Sequence, residues 1–267
     1  MGPEDFIVSV EVNPAPGLST DKPEAAARML RDAGVDVVNI ADGPRATVRM
    51  SNSALAGVLQ QRLSGCETIL HVCCRDRNLL GLMSELLAHH TRGFHNLVVI
   101  TGDPPKMGDY PKASAVFDLD SIGLLKLIKG LNAGLDPAGR DFGGQAHFFC
   151  AAGAEPGAVD YGRELARLRE KIEAGAELIM TQPVYDAAVM RKFLDDVAHL
   201  PRAVPVLMGL CPLVSSRNAE FLHHEVPGMS VPQHIRDRMA AVGGSAAGVA
   251  EGVKIAQVLS FCTLMDD

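Results

Sequence analysis

The sequence predicts an α/β protein of the (β/α)8 TIM-barrel class, with an eighth strand that is short or atypical. Three observations carry that expectation. Apolar, β-branched runs alternate with helical stretches seven times along the chain, and no shift in composition marks a linker between them. The apolar residues are mostly aliphatic, with few aromatics and no tryptophan, as in parallel sheets covered by helices. A dinucleotide-binding sheet would need G-x-G-x-x-G after an early strand, whereas the first strand runs into Asn13-Pro14. At 267 residues the chain suits one barrel domain, residues 1–267.

The elements follow in order. Phe6 to Val12 alternates and carries Glu11 near its end. Thr20 or Asp21 caps a helix to about Asp32, with Pro23 in its first turn and Gly34 as its stop. Val35 to Ala41 is a second strand, ending at Asp42-Gly43-Pro44, and Ser51 opens a helix to about Leu63. Glu67 to Cys73 is a third strand containing His71, and a Leu- and Ala-rich helix then runs through Thr91. The fourth strand, Val98 to Thr101, stops at Gly102; Asp103 follows, and Pro104-Pro105 block both ladder and helix. Asp118 or Asp120 caps the next helix, to about Gly130. Ala146 to Ala152 is a fifth strand, followed by a loop at Gly153–Gly157 and a helix from Asp160 to Gly175. Leu178 to Thr181 is the sixth, with Gln182-Pro183 directly after it, and Val204 to Leu210 the seventh. Helices are expected over Ala187–Leu200, Ser215–His224, Pro232–Ala241 and Ala246–Val258. Leu259 to Leu264 remains as a short eighth strand, unless a partner subunit covers that edge. Gly243-Gly244 follows a helix and is a poor phosphate loop.

A net charge of −7 without any basic run argues against nucleic acid as a partner. The six cysteines (66, 73, 74, 150, 211 and 262) form no C-x-x-C pair, and Cys73, Cys150 and Cys211 sit in or beside apolar runs. They read as reduced thiols, and no metal site is expected. Without a signal peptide or a membrane-length apolar run, a soluble cytoplasmic protein is expected, with no membrane partner.

Several strands end in a polar residue: Glu11, Asp42, Asp103 and Gln182. In a barrel these ends share one face. Carboxylates that meet in one cavity repel unless one is protonated or a cation lies between them. That suits a reaction with a cationic intermediate and one proton to donate. Each residue also has an ordinary role, as a turn former or a strand-end hydrogen-bonder. For His71 the commoner role is a hydrogen-bonded core residue. Arg75, Arg77 and Lys106 lie in loops on that face, either solvated or meeting phosphates.

These residues also carry a resemblance. V-S-V-E-V-N-P, L-H-V-C-C-R-D-R-N, V-I-T-G-D-P-P-K-M-G-D-Y-P, L-R-E-K-I-E-A-G-A with M-T-Q-P-V-Y-D, and G-L-C-P-L-V-S-S-R-N-A-E-F-L occur in this order over about residues 6–240. Together they resemble the 5,10-methylenetetrahydrofolate reductase family. The closest look is to the branch often fused behind a homocysteine methyltransferase domain, here without that domain.

The resemblance implies an FAD-containing barrel that reduces 5,10-methylenetetrahydrofolate to 5-methyltetrahydrofolate, in one-carbon metabolism and methionine biosynthesis. NADH or NADPH is the expected electron donor. It makes Glu11 the acid at N10 of the folate and places Asp103 between flavin and pterin. Gln182 becomes the hydrogen-bonder of the pterin, and His71, Thr101, Gly102, Asp103 and Lys171 become contacts of FAD. Glu11 is expected to be buried near other carboxylates, which favours its protonated form. Two departures stand out. The 153–157 loop has Glu155 where the family often has an aromatic residue, and the usual last strand and helix are not readable. The rival readings are a flavin-free, pterin-dependent methyltransferase barrel and a flavin- or folate-binding subunit of a larger complex. A homo-oligomer or partner subunit is compatible with all three.

Overall fold

The computed structural model describes residues 6–260 apart from Pro227 and Gly244, and the helical backbone of 261–264. Gly244 of the Gly243-Gly244 pair and the thiol of Cys262 therefore lie outside the described residues. Seven strands alternate with nine α-helices among these residues, and the strand order follows the chain from first to last. Each strand pair whose register is defined is parallel. This is the α/β order of a TIM barrel. The chain divides into two compact units, Met1–Ala152 with Glu173–Glu177 and Gly153–Ile172 with Leu178–Asp267.

The first unit holds β1 (Ser9–Val12), α1 (Asp21–Asp32), β2 (Val37–Ile40), α2 (Asn52–Arg62), β3 (Glu67–Cys73), α3 (Leu79–Thr91), β4 (Asn96–Ile100), α4 (Ser121–Asn132) and the start of β5 (Phe149–Ala154). Alternate strand residues face the helices: Val12, Val38, Ile40, Leu70, Val72, Leu97, Val99, Cys150 and Ala152 form one core with Leu55, Leu59, Leu82, Leu86, Leu124 and Ile128. Each fully buried leucine there contributes about 1.5–3 kcal/mol of apolar transfer. Strand periodicity puts the residues between them on the opposite face. These include Ser9 and Glu11, Asn39, His71 and Cys73, and Val98.

Capping follows the sequence at α4 but not at α1, where Thr20 stands at the N-cap without a side-chain cap bond and Asp21 N–H is taken by Ser19 Oγ (3.1 Å). The Asn78 and Asp120 side chains accept the N–H groups of Gly81 and Gly123. Asp118, the other candidate cap of α4, instead accepts the Leu79 N–H at the start of α3 (2.9 Å). The fifth strand starts three residues later than expected. Ala146 N–H is taken by the Leu131 carbonyl, and Phe148 exchanges two hydrogen bonds with the Asn132 side chain. The end of α4 thus occupies this segment, and β4 pairing begins at Phe149.

The second unit holds most of α5 (Tyr161–Ala174), then β6 (Leu178–Pro183), α6 (Ala187–Ala198), β7 (Val206–Gly209), α7 (Ser216–Glu225), α8 (Gln233–Ala241) and α9 (Ser245–Leu264). Gln182 and Pro183 belong to β6, where a register shift between Met180 and Pro183 accommodates the proline against Gly209.

The eighth strand expected over Leu259–Leu264 is not formed. That segment continues α9 without a break. No Gly or Pro interrupts the run after Gly252, and Ser260 Oγ donates to the Ala256 carbonyl one turn back. Ile255 and Leu259 are buried with Leu213, Leu222, Ile235 and Met239. A Cβ on Gly252 would overlap the Leu213 carbonyl oxygen, so the helix lies backbone to backbone on the segment after β7. Helical packing, not sheet pairing, satisfies this stretch.

Candidate active site

In the first unit Glu11, Asp42, His71, Thr101, Gly102 and Asp103 lie on or just after strands β1 to β4. Glu11 aligns with Asn39 on β2, whose amide donates to Ser9 Oγ (3.0 Å). Burial was expected for Glu11, but its side chain is exposed and accepts from the Asn13 amide (3.2 Å). Glu11 sits one residue before the end of β1, where the chain leaves the sheet at Asn13-Pro14.

His71 is half-buried, but its Nε2 is fully buried and has no hydrogen-bond partner among the described residues. Burial pushes its pKa below the ordinary histidine value, while the nearby charges of Glu11 and Asp42 pull the other way. The imidazole is thus held neutral, with one nitrogen available. Its backbone carbonyl accepts from the Asn52 amide (2.7 Å), which also reaches the Ile40 carbonyl (3.4 Å). Asn52 is buried and ties the ends of β2 and β3 from the first turn of α2. Sequence reasoning missed it because an amide in a helix's first turn is ordinary.

Asp42 is not an unpaired carboxylate. Its Oδ2 accepts from Cys73 N–H (3.1 Å) and from Arg77 Nη1 (2.7 Å), and both side chains of the ion pair are mostly buried. Arg75 is buried too, its guanidinium joined to Asp76 by two hydrogen bonds of 2.7 and 2.6 Å. Of the three loop cations considered for phosphates, Arg75 and Arg77 are engaged by carboxylates of their own unit, whereas Lys106 is exposed.

Thr101 Oγ1 accepts Ser121 N–H at the start of α4 (3.0 Å). Gly102 has φ +95°, and a Cβ there would overlap Cys73 Sγ. The absence of a side chain lets Gly102 pack closely against the neighbouring strand. The Asp103 carboxylate accepts Arg45 N–H (2.9 Å). Asp109 of the same loop accepts Val48 N–H (3.1 Å), so with Asp118 three aspartates pin residues 101–120 onto neighbouring loops.

In the second unit, Gln182 is exposed at the end of β6. Lys171 Nζ donates to the Gly153 carbonyl (2.7 Å) and lies 3.7 Å from the Glu164 carboxylate. Glu155 accompanies them: its N–H donates to Glu164, and burial followed by the Glu164 charge raises its pKa.

The strand order and the polar strand ends define a barrel-type α/β protein with its candidate chemistry at the carboxyl ends of the strands. Comparison with known proteins narrows the class. The family model for methylenetetrahydrofolate reductase matches residues 3–265. The probable methylenetetrahydrofolate reductase (NADH) of Oryza sativa subsp. japonica is 28% identical over 156 residues, 57% of this chain and 26% of that protein. The probable methylenetetrahydrofolate reductase (NADPH) of Caenorhabditis elegans is 24% identical over 195 residues, 73% of this chain and 27% of that protein. The chain thus spans about a quarter of the length of these relatives. In fold it is similar to the crystal structure of 2,3-dimethylmalate lyase, with a TM-score of 0.53 and 14% identity over 94% of this chain and 74% of the other. The chain belongs to the methylenetetrahydrofolate reductase family.

Proposed function

We propose that this chain is a flavin-dependent methylenetetrahydrofolate reductase, a single domain over residues 1–267 that converts 5,10-methylenetetrahydrofolate to 5-methyltetrahydrofolate in the cytoplasm. This places it in one-carbon metabolism and methionine biosynthesis. The observation that carries the reading is the family match over residues 3–265, joined to Glu11, His71 and Asp103 on or just after strands of one parallel sheet.

FAD fits one observation directly: a half-buried, neutral imidazole whose buried Nε2 lacks a partner among the described residues suits a flavin heteroatom. His71, Thr101, Gly102 and Asp103 of the first unit would hold FAD; for Lys171 the family resemblance alone supports that role. When bound, FAD supplies the hydride, taken from NADH or NADPH. Asp103 offers negative charge to the 5-iminium form of the folate, Glu11 gives a proton to N10 as the ring opens, and Gln182 hydrogen-bonds the pterin. Exposure of Glu11 leaves it accessible to solvent protons between turnovers.

The test is anaerobic. Purified protein should carry or take up about one FAD per chain, the stoichiometry of a single flavin site. NADH or NADPH should bleach the flavin, and methylenetetrahydrofolate should restore its colour. Glu11→Gln should preserve the first half-reaction and slow the second by at least ~10²-fold, the usual worth of a general acid. Equal loss in both would make Glu11 structural, and a chain that refuses FAD would sink the proposal.

A further inference from the structure

We infer that Arg75 is a positioning residue for Asp103: it ties the Gly102–Asp103 turn after β4 to the Gly43–Ala46 turn after β2, and so fixes where the Asp103 carboxylate points. The inference rests on the reading of Asp103 given above. A buried guanidinium must have its donors met, and Arg75 meets them on two sides. Asp76 takes one edge through Nε and Nη2. On the other side, Nη1 reaches the Gly43 carbonyl at 3.2 Å and the Asp103 carbonyl at 3.3 Å.

Both turns are shaped around this side chain. Gly43 and Gly102 have φ +55° and +95°; a Cβ on the first would lie 2.6 Å from Arg75 Nη2, and on the second 3.2 Å from Arg75 Cβ. Arg45 and Ala46 both have φ +56°, which residues with a side chain adopt only where their surroundings hold them there. The held turn aims Arg45 N–H at the Asp103 carboxylate. A Cβ on Gly108 would overlap the Ala46 carbonyl oxygen, so the two segments also touch backbone to backbone. Arg75 hydrogen-bonds the backbone of both turns. A lysine has no planar fork to serve a carboxylate on one edge and two carbonyls on the other.

The experiment compares Arg75→Lys, Asp76→Asn and Asp103→Asn. Hydrogen exchange at the Arg45 amide is measured by NMR on the purified chain, and the flavin midpoint potential on the FAD-loaded protein. Arg75→Lys should speed Arg45 exchange by about tenfold or more at unchanged circular dichroism, as a local opening does. Its potential should move in the same direction as that of Asp103→Asn, with no further shift when the two are combined. A folded Arg75→Lys with unchanged Arg45 protection overturns the inference. If that variant does not fold, Asp76→Asn decides, since it releases one edge of the fork: faster Arg45 exchange upholds the tie, and unchanged exchange overturns it. Loss of Arg45 protection in Arg75→Lys, together with an Asp103→Asn that changes neither potential nor folate reduction, keeps the tie but overturns the role of Asp103.

Discussion

His71 shows how one side chain joins folding to chemistry. The sequence places it in an apolar strand, where a satisfied core histidine is the ordinary outcome. The structure leaves its Nε2 buried without a partner among the described residues and depresses its pKa. The sign of the resulting pH effect is fixed. In the unfolded chain this histidine titrates near 6.5. The folded state binds that proton less readily, so the unfolded state gains protons first as the pH falls. Stability is therefore unaffected by His71 well above 6.5 and declines as pH drops below it, until the folded pKa is passed. Urea melts across this window should show His71→Gln flattening the decline. An identical decline in wild type and variant would mean that other groups carry it. Glu11 marks the opposite limit of legibility, because its place on β1 was readable but its exposure was not. Its exposure depends on which segments pass near Asn13-Pro14 in space, and no local pattern encodes that.

At the scale of elements, strands and helices were legible where backbone propensity and burial agree. The third strand, Glu67–Cys73, and the first helix from Asp21 match their expected bounds. Misplacement came where side chains compete for backbone groups, as when Asn132 holds Phe148 away from the β5 ladder. The two short 3-10 turns, Pro44–Ala46 and Pro105–Met107, were unreadable because tertiary bonds hold them. Gly102 was legible as a break but not as a contact. Gly102→Ala combines a left-handed φ of +95° with a Cβ that overlaps Cys73 Sγ. The strained backbone alone costs roughly 1–3 kcal/mol, and the overlap with a buried sulfur adds to it. Chemical denaturation should give a midpoint loss of at least that size. Gly93→Ala, also at positive φ but with open space around its Cβ, should lose only the backbone part. Equal losses at the two sites would show that the sulfur yields without cost.

For the molecule as a whole, the open question at the sequence level was how the last residues are used. A strand was expected from Leu259 because seven strands leave a barrel one short. The helix prevails because its packing is already specified from Gly248 onward. Cβ atoms at Gly248 and Gly252 would meet the Val214 and Leu213 carbonyl oxygens, so small residues one turn apart let α9 lie on the backbone after β7. This contact sets the face that buries Ile255 and Leu259 against α7 and α8. Deleting the chain from Leu259 onward removes the buried Leu259 and the end of the helix, while Gly252 and Ile255 stay in place. Loss of a buried leucine costs about 2–5 kcal/mol. For domains of this size that corresponds to a fall in Tm of several degrees, at roughly 2–4 °C per kcal/mol. Leu259→Ala should reproduce most of the loss, because the contact rather than the chain end carries it. If the truncation destabilises and Leu259→Ala does not, the stabilising part of the segment lies beyond residue 259. If neither lowers Tm, α9 is held by its glycine contacts and Ile255 without Leu259.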